Sequence, residues 1–291
     1  MFADFFRPDR LALVHRLVDL ALDEDGRDLT SEALFERTSI LHASIVAKED
    51  SLVVGLPLIA IILERMHCSE HRITLLAADG QDVVRGQEVA RISGPAPVLL
   101  KAERVVMNFI CRLSGVSNAT RRFVQAVQGT SVRVLDTRKT TPGHRYLEKY
   151  AVRMGGGHNH RANLEEMLML KDNHIDQAGS ITAAVQRLGQ AYAVCPPLEI
   201  ECRTLDHVRE AVGLNPQRIM LDNMPPQLAA EALRLIPGHI ESEISGNVTL
   251  ATIRGLAELR PTFISSGAIT HSAIVADFSM RLAPAQGREH A

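Results

Sequence analysis

The feature that most constrains the fold is an alternation of short apolar runs and amphipathic segments that begins after Gly129. Seven runs are candidate strands: SVRVLD (131–136), YAVRM (150–154), EMLMLK (166–171), PLEIEC (197–202), RIMLDN (218–223), HIESEI (239–244) and TFISS (262–266). Because strand–helix alternation is typical of parallel βαβ units, these runs predict an α/β barrel one strand short of the usual eight. A doubly wound open sheet is the alternative, although no GxGxxG motif follows the first strand.

The first hundred residues follow a different pattern. Residues 9–24 predict a helix with one apolar face. Short strands are predicted at Ile40–Lys48, Ile73–Ala77 and Glu88–Ser93, and a buried strand followed by the start of a helix at Leu52–Leu63. A long helical stretch begins near residue 98, and Gly115 is expected to break it in two. This part of the chain therefore predicts a small antiparallel sheet with helices.

Charge and cysteine usage exclude several classes of protein. The 32 basic residues nearly balance the 34 acidic ones, with a pI near 6.6, which disfavours a general nucleic-acid binder. The four cysteines form no CxxC pair and fit a reducing cytoplasm. The N-terminus lacks the apolar core of a signal peptide, and the longest apolar run is too short to span a bilayer. We therefore expect a cytoplasmic protein that binds neither membrane nor nucleic acid.

The ends of the candidate strands are where chemistry is expected, because barrel active sites lie at the carboxyl ends of the strands. The cations there are Arg138, Lys139, His160, Arg161 and Lys171. The chain has only five lysines, and two of them fall in this set. A compact cationic set suits a ligand with several negative charges, and arginine binds carboxylate or phosphate oxygens through paired hydrogen bonds.

Acidic and small residues follow the later strands. Glu201 and Asp222 among phosphate-binding cations indicate Mg²⁺, which typically takes one or two carboxylates together with substrate phosphates. Two turns with backbone N–H groups for a phosphate are expected at Ser245-Gly246-Asn247 and Ser266-Gly267-Ala268.

Less specific interpretations of these residues stay open. Glu201 and Asp222 are also compatible with structural ion pairs to the arginines. His158, His160 and His174 could be metal ligands, but no third ligand with a fixed spacing is evident. Lys171 could form a Schiff base, as in barrel aldolases, although the surrounding arginines favour simple anion binding.

Taken together, the motifs resemble a known family. DTRKTTPG (136–143), KYAVRMGGGHNHR (149–161) and LKDNHI (170–175) are similar to nicotinate-nucleotide pyrophosphorylase (carboxylating), or quinolinate phosphoribosyltransferase. The similarity extends to DLTSEAL (28–34), LLKAERVVMNFICRLSG (99–115), LEIE (198–201), MLDN (220–223), SGNVTL (245–250) and SSGAIT (265–270). It therefore covers nearly the whole chain. The sequence departs from the family pattern at Ala162–Glu166 and is shorter than that pattern before DLTS.

The resemblance implies a fold of the type II phosphoribosyltransferase kind. An α/β open-sandwich domain would span residues 1–115, and an incomplete seven-stranded α/β barrel would span residues 116–270. Residues 270–291 would pack back on the first domain. The family also implies a homodimer with shared active sites, in which the partner's first domain covers each barrel mouth.

The resemblance further implies a reaction. Quinolinate and 5-phosphoribosyl-1-pyrophosphate react with Mg²⁺ to give nicotinate mononucleotide, pyrophosphate and CO₂. By resemblance, the substrate-binding residues are Arg104 of the neighbouring subunit, Thr137, Arg138, Lys139, His160, Arg161 and Lys171. The implied catalytic residues are Lys139, Lys171, Glu201 and Asp222, of which Glu201 and Asp222 would hold the metal. The implied 5′-phosphate residues are Ser245, Gly246, Asn247, Ser266, Gly267 and Ala268.

Three other functions compete with this expectation. A related protein of molybdate-transport operons shares TRKT and the glycine-rich run but typically lacks the KDNH segment found here at 171–174. A Schiff-base lyase using Lys171 would be trapped by borohydride with a carbonyl substrate. A ligand-binding regulator on the same scaffold would lack the acidic pair, and both Glu201 and Asp222 are present.

Overall fold

The computed structural model describes residues 2–283, and the chain divides into two compact units. The first unit comprises the chain up to Ala119, Pro142–Gly155 and the described residues from Ala273 onward. The second unit comprises Thr120–Thr141 and Gly156–Ser272. The boundary expected from the sequence, between residues 115 and 116, differs from this division chiefly at residues 142–155. Residues 270–291 are expected to pack back on the first domain. The structure describes this segment as far as residue 283, and residues 284–291 lie outside the described residues.

The elements are numbered in chain order. The helices are α1 (Phe2–Phe5), α2 (Pro8–Asp25), α3 (Leu29–Leu34), α4 (Leu58–Arg65), α5 (Ala96–Ala126), α6 (Arg145–Met154), α7 (Asp172–Ala178), α8 (Ile181–Ala191), α9 (Leu205–Gly213), α10 (Pro226–Leu235), α11 (Ile253–Ala257) and α12 (Ala268–His271). The strands are β1 (Ile40–Ala47), β2 (Ser51–Val53), β3 (Arg72–Leu75), β4 (Gln81–Val83), β5 (Glu88–Pro95), β6 (Arg133–Leu135), β7 (Leu168–Leu170), β8 (Leu198–Cys202), β9 (Arg218–Asp222), β10 (Glu241–Ser245), β11 (Phe263–Ser265) and β12 (Phe278–Leu282).

The first unit contains a four-stranded antiparallel sheet in the order β12-β1-β5-β3 and a two-stranded pair of β2 and β4. The predicted strands and the helix at residues 9–24 are therefore confirmed. α2 buries Val14, Val18 and Leu22, which is the apolar face that its helical spacing predicts. Strand β12 pairs with β1, so the described end of the chain completes this sheet.

The predicted break at Gly115 is wrong, because α5 runs without interruption from Ala96 to Ala126. Glycine is needed there for close packing. A β-carbon at position 115 would collide with the carbonyl oxygen of Ile274, and Ala276 N–H donates to the carbonyl of Cys111 at 3.0 Å. The chain around residues 274–276 therefore lies directly against this helix.

The second unit is built on a six-stranded parallel sheet in the order β6-β11-β10-β9-β8-β7. Helices alternate with the strands, as expected for βαβ units. Six of the seven predicted runs contain a strand of this sheet. The arrangement is the expected α/β fold. The polar residues that follow the strands lie together at the edge of the sheet where the strands end.

The seventh predicted strand, YAVRM, is wrong, because residues 150–154 form the last part of helix α6 in the first unit. A short apolar run does not separate a buried strand from the buried side of a helix. The place beside β6 is taken instead by a single parallel bridge between His158 and Leu135. The described sheet thus has six strands, with the glycine-rich segment at its outer edge.

No helix among residues 2–283 combines the length and the apolar character that a membrane crossing requires.

Candidate active site

A cavity of about 320 Å³ lies at the carboxyl edge of the parallel sheet. Nine residues singled out from the sequence line it: Thr137, Arg138, Lys139, His160, Arg161, Lys171, Glu201, Asp222 and Ser245. The sequence predicts no individual role for its other lining residues, which are Met169, Met220, Asn223, Glu243 and Ser265. The second unit therefore brings the cationic set and the acidic pair together, because parallel strands all end at the same edge.

Two guanidinium groups meet in this cavity. Burial lowers the pKa of Arg161, and the positive charge of Arg138 lowers it further. Arg161 is held from the side by a hydrogen bond from its guanidinium to the carbonyl of Met167, at 2.8 Å. A bound anion would relieve the repulsion between the two arginines, so the arrangement suits a carboxylate or phosphate group.

Both lysines of the motifs enter the cavity at strand ends. Lys171 follows β7, and its Nζ lies 3.6 Å from Oε2 of Glu201. The backbone N–H of Lys171 donates to Nδ1 of His174 at 3.1 Å, so the histidine of the KDNH segment orients the lysine backbone. The N–H of Lys139 donates to the hydroxyl of Thr137 at 3.0 Å, which tightens the turn after β6.

The acidic pair lies on neighbouring strands. Glu201 belongs to β8, and Asp222 ends β9. Burial raises the pKa of Glu201; the nearby Lys171 opposes this shift and the negative charge of Asp222 adds to it. Two carboxylates close enough to repel each other are a donor set that a divalent cation would stabilise, so these residues fit Mg²⁺. The side-chain amide of Asn223 donates to Asp222 at 2.9 Å and orients that carboxylate.

The turn after β10 packs tightly against Asn223. Gly246 has φ +96°, and a β-carbon there would collide with the Asn223 side chain. Asn247 has φ 48° and donates its side-chain amide to Oδ1 of Asn223 at 3.0 Å. Among the predicted phosphate residues, Ser245 lines the cavity, whereas Gly246 and Asn247 form the turn beyond it.

The second predicted phosphate segment follows β11. The hydroxyl of Ser266 donates to the carbonyl of Val248 at 2.8 Å. A β-carbon on Gly267 would come within 2.9 Å of the His271 ring and 3.1 Å of the Lys139 side chain. A larger residue at position 267 would therefore require the His271 and Lys139 side chains to shift. Ser266, Gly267 and Ala268 themselves do not line the described cavity.

A buried polar cluster adjoins the cavity, and His160 is the member for which the sequence predicts a role in the site. Nε2 of His160 lies 2.8 Å from Glu199 and 3.8 Å from Glu243. The guanidinium of Arg218 lies 3.0 Å from Glu243. Burial raises the pKa of both glutamates to about 7. His160, Glu199 and Glu243 could together offer three ligands to a metal, but Arg218 already supplies the positive charge that the cluster requires.

The sequence did carry a signal for this cluster. Alternate residues of a strand face the same side of a sheet, so Glu199 points inward together with Glu201. Asp136, the first residue of the DTRKTTPG segment, is fully buried and accepts the His160 backbone N–H at 2.8 Å. It also accepts from the side chain of Asn159 at 2.7 Å, so it attaches the segment around His160 to the end of β6.

Arg104 is the predicted site residue that belongs to the first unit. It is exposed on α5 in the first unit, and the cavity lining does not include it. Its contribution to a neighbouring subunit stays a prediction.

Comparison with known proteins gives a consistent result. Residues 28–114 match the sequence family "Quinolinate phosphoribosyl transferase, N-terminal domain", and residues 116–281 match its C-terminal domain. A probable nicotinate-nucleotide pyrophosphorylase [carboxylating] of Bacillus subtilis is 40% identical over 87% of each chain. Another, from Synechocystis, is 44% identical over 83% of this chain and 82% of its own.

Solved structures agree with the sequence matches. NadC from Streptococcus pyogenes superposes with a TM-score of 0.88 at 36% identity, covering 93% of this chain and 96% of that one. The chain belongs to the quinolinate phosphoribosyltransferase family.

Proposed function

We propose that this enzyme transfers the phosphoribosyl group of 5-phosphoribosyl-1-pyrophosphate to quinolinate, with decarboxylation, to give nicotinate mononucleotide, pyrophosphate and CO₂. This is a step of NAD biosynthesis. The observation that carries the proposal is the convergence of four cations and two carboxylates on one cavity of the second unit. The cations are Arg138, Lys139, Arg161 and Lys171, and the carboxylates are Glu201 and Asp222.

The cations of the cavity would bind the carboxylates of quinolinate. This substrate carries two adjacent carboxylates, and each needs positively charged donors. Arg138 and Arg161 would bind carboxylate oxygens through their planar guanidinium groups, which suit two parallel hydrogen bonds. Lys139 and Lys171 add point charges for the remaining carboxylate and for pyrophosphate. The repulsion between Arg138 and Arg161 is relieved when the dianion binds.

The acidic pair, Glu201 and Asp222, would stabilise the positive charge that develops on the ribose. Positive charge develops on the ribosyl carbon as pyrophosphate departs, and fixed carboxylates nearby stabilise that charge in the transition state. Glu201 and Asp222 would also hold Mg²⁺, directly or through water and ribose hydroxyls. When bound, the metal would neutralise charge on the departing pyrophosphate.

The turns after β10 and β11 would bind the 5′-phosphate of the ribose. Ser245 and Ser265 line the cavity, and their hydroxyl groups lie 2.9 Å apart. Backbone N–H groups of the Ser245–Asn247 and Ser266–Ala268 segments are the proposed donors to phosphate oxygens. The tight packing that requires glycine at 246 holds the first of these segments in place.

Decarboxylation needs no protein nucleophile. Once the ring nitrogen carries the ribosyl group it is cationic, and it accepts the electron pair left when the 2-carboxylate departs as CO₂. A proton from solvent then replaces the carboxylate on the ring. The protein needs only to hold the intermediate, so Lys171, placed 3.6 Å from Glu201, acts as an ammonium group.

The assembly and location are part of the same proposal. A homodimer with shared active sites would bring Arg104, which is exposed on α5, to the site of a neighbouring subunit. Work in the cytoplasm agrees with four cysteines that form no CxxC pair.

The decisive experiment is a direct assay. The purified protein should form nicotinate mononucleotide from quinolinate, phosphoribosyl pyrophosphate and Mg²⁺, with release of CO₂ in equal amount. Chelation of the metal should abolish the reaction, and added Mg²⁺ should restore it. Absence of product with both substrates and metal present would refute the proposal.

A further inference from the structure

The four-stranded sheet of the first unit has a polar, accessible face opposite its core. On β1 and β5 the residues Ala43, Ile45, Ala90 and Ile92 are each at most 5% exposed. Because alternate residues of a strand face opposite sides of a sheet, the residues between them belong to the other face. With their neighbours on β3 and β12, the exposed or half-buried residues of that face include Ser44, Arg72, Thr74, Arg91, Ser93 and Arg281.

The strand register brings three arginines of this face together. Ser44 on β1 pairs with Arg281 on β12 at one side and with Arg91 on β5 at the other. In the next row Ser93 on β5 pairs with Arg72 on β3. Neighbouring strands lie about 4.8 Å apart, so the Cα atoms of Arg281 and Arg91 are about 10 Å apart. The hydroxyl groups of the two serines lie between the arginine positions.

A cavity of about 530 Å³ lies over this face, and all three arginines line it. Glu88 is the one acidic residue of the lining, and it pairs with Arg91 at 2.6 Å. Among residues 2–283, neither Arg72 nor Arg281 has a carboxylate within ion-pair distance. The cavity therefore has an excess of positive charge, in a chain whose net charge is −2.

The chemistry of the lining selects the kind of ligand. Guanidinium groups donate hydrogen bonds and accept none, and serine hydroxyls can also donate, so the ligand must offer acceptor oxygens. A separation of about 10 Å between arginine positions is too wide for one carboxylate or one phosphate, so several anionic groups must follow one another along the ligand. Each planar guanidinium suits two oxygens of a phosphate group. The lining contains no Phe, Tyr or Trp on which a nucleotide base could stack.

We propose that this face of the first unit binds a chain of three or more linked phosphate groups through Arg72, Arg91 and Arg281. The hydroxyl groups of Ser44 and Ser93 would donate to the phosphate oxygens between the arginines. A nucleoside triphosphate and inorganic polyphosphate share this chemistry. The site is built from the first unit alone, so the proposal does not depend on the reaction proposed for the second unit.

Isothermal titration of the full chain with inorganic tripolyphosphate tests the proposal. The catalytic cavity also contains cations that bind phosphate, so the titration is made in the Lys139→Ala variant, which weakens that cavity. Tripolyphosphate should still bind to this variant. Adding Arg72→Gln and Arg281→Gln should weaken the remaining binding at least about tenfold, because two charge-assisted contacts are lost.

A matched pair of substitutions controls for general electrostatics. Arg16 and Arg85 are also exposed arginines of the first unit, and they lie outside this cavity. In the Lys139→Ala background, Arg16→Gln with Arg85→Gln removes the same charge and should change the dissociation constant for tripolyphosphate by less than about twofold. With Lys139 intact, Arg72→Gln and Arg281→Gln should leave kcat and both KM values unchanged.

Two further ligands separate the phosphate chain from the nucleoside. In the Lys139→Ala variant, ATP should bind about as tightly as tripolyphosphate, and AMP at least about tenfold more weakly, because AMP reaches only one arginine position. AMP binding as tightly as ATP would show that the nucleoside is recognised and would overturn the proposal.

Three other results would also overturn it. The first is an absence of tripolyphosphate binding to the Lys139→Ala variant. The second is equal weakening by the two pairs of arginine substitutions. The third is a change of oligomeric state in Arg72→Gln with Arg281→Gln, measured by sedimentation velocity, without loss of binding, since this face would then be a contact between copies of the chain. An inactive wild-type protein would refute the proposed function and leave these binding results unaffected.

Discussion

Glu243 is a single residue whose burial connects stability to pH. Burial raises its pKa from an ordinary value of 4.5 to about 7. The folded protein therefore binds this proton more tightly than the unfolded chain, and the unfolding free energy falls as the pH rises between these two values. Glu243→Gln removes the titrating group. We expect the unfolding free energy of the variant, relative to the wild type, to rise by about 2–3 kcal/mol across this interval.

Chemical denaturation at several pH values measures this difference. Glu231→Gln is the matched control, because Glu231 is exposed on α10 and its substitution should give a difference that does not vary with pH. A Glu243→Gln difference that is equally flat would contradict the assigned shift.

Asp222 is expected to act in the transition state rather than in substrate binding. Asp222→Asn keeps the size of the side chain but removes the charge that stabilises the ribosyl cation. We expect kcat to fall by about a hundredfold, with a much smaller change in the dissociation constant for quinolinate. Asp206→Asn, at a side chain that is 90% exposed, is the control and should retain full activity. Near-normal turnover in Asp222→Asn would exclude this role.

The cation set should make the enzyme selective for a dianion. Nicotinate lacks the 2-carboxylate and leaves part of the cluster formed by Arg138, Arg161 and the two lysines without a partner. The loss of about 1–3 kcal/mol corresponds to a decrease of roughly 5- to 150-fold in kcat/KM relative to quinolinate. Parallel assays with the two pyridine acids measure the ratio. Comparable values would point to the related protein of molybdate-transport operons instead.

Among the secondary-structure elements, α5 contains a glycine, Gly115, whose small size is required by a neighbouring segment of the chain rather than by the helical conformation. Gly115 lies mid-helix, where alanine would ordinarily be favoured, but a β-carbon there meets the backbone of Ile274 and Val275. Gly115→Ala should therefore destabilise the protein by about 1–3 kcal/mol through overpacking. Gly189→Ala in α8 is the matched control, because nothing lies within 4 Å of its β-carbon position.

The control substitution should have the opposite sign, with a gain of about 0.5–1 kcal/mol from helix propensity. Thermal denaturation of both variants gives the comparison. Stabilisation by Gly115→Ala would show that the 274–276 segment does not pack against α5 as described.

Helix α6 shows why the prediction failed for one element. The run YAVRM (150–154), which predicts a strand from its apolar residues, is the second half of this helix. In the structure Tyr150 donates its hydroxyl to Asp79 at 2.9 Å, and Glu148 accepts from Arg112 at 2.6 Å and 3.0 Å. These partners lie 71 and 36 residues away in the chain. The residues of this helix are buried on several sides because they contact partners that lie far away in the sequence. A pattern of neighbouring residues does not include such partners and so does not predict this burial.

At the scale of the whole molecule, the proposed shared site makes a prediction about subunit mixing. Arg104→Ala and Lys139→Ala should each be nearly inactive as homodimers. If Arg104 acts on the neighbouring subunit, a mixed dimer has one site with both lesions and one site with neither. Random reassembly should then restore about a quarter of wild-type activity, because half of the dimers are mixed and each has one of two sites intact.

The control is a double variant, Arg104→Ala with Lys139→Ala, mixed with the wild type. Both sites of that mixed dimer carry one lesion, so the mixed dimer, isolated from the wild-type dimers that random reassembly also forms, should be inactive. If subunit exchange is demonstrated and the two single variants never complement each other, Arg104 does not serve a neighbouring subunit.

Local sequence determined the strand–helix alternation and the polar groups that follow each strand, because periodicity and strand ends are properties of neighbouring residues. The parallel order of the strands then brought Arg138, Lys171, Glu201 and Asp222 to one edge. Only the tertiary structure decided that residues 150–154 are helical, that Gly115 is a packing position, and that His160 faces Glu199 at 2.8 Å. Each of these depends on partners far along the chain, and burial beside such a partner changes the conformation and protonation that a residue's own type would favour.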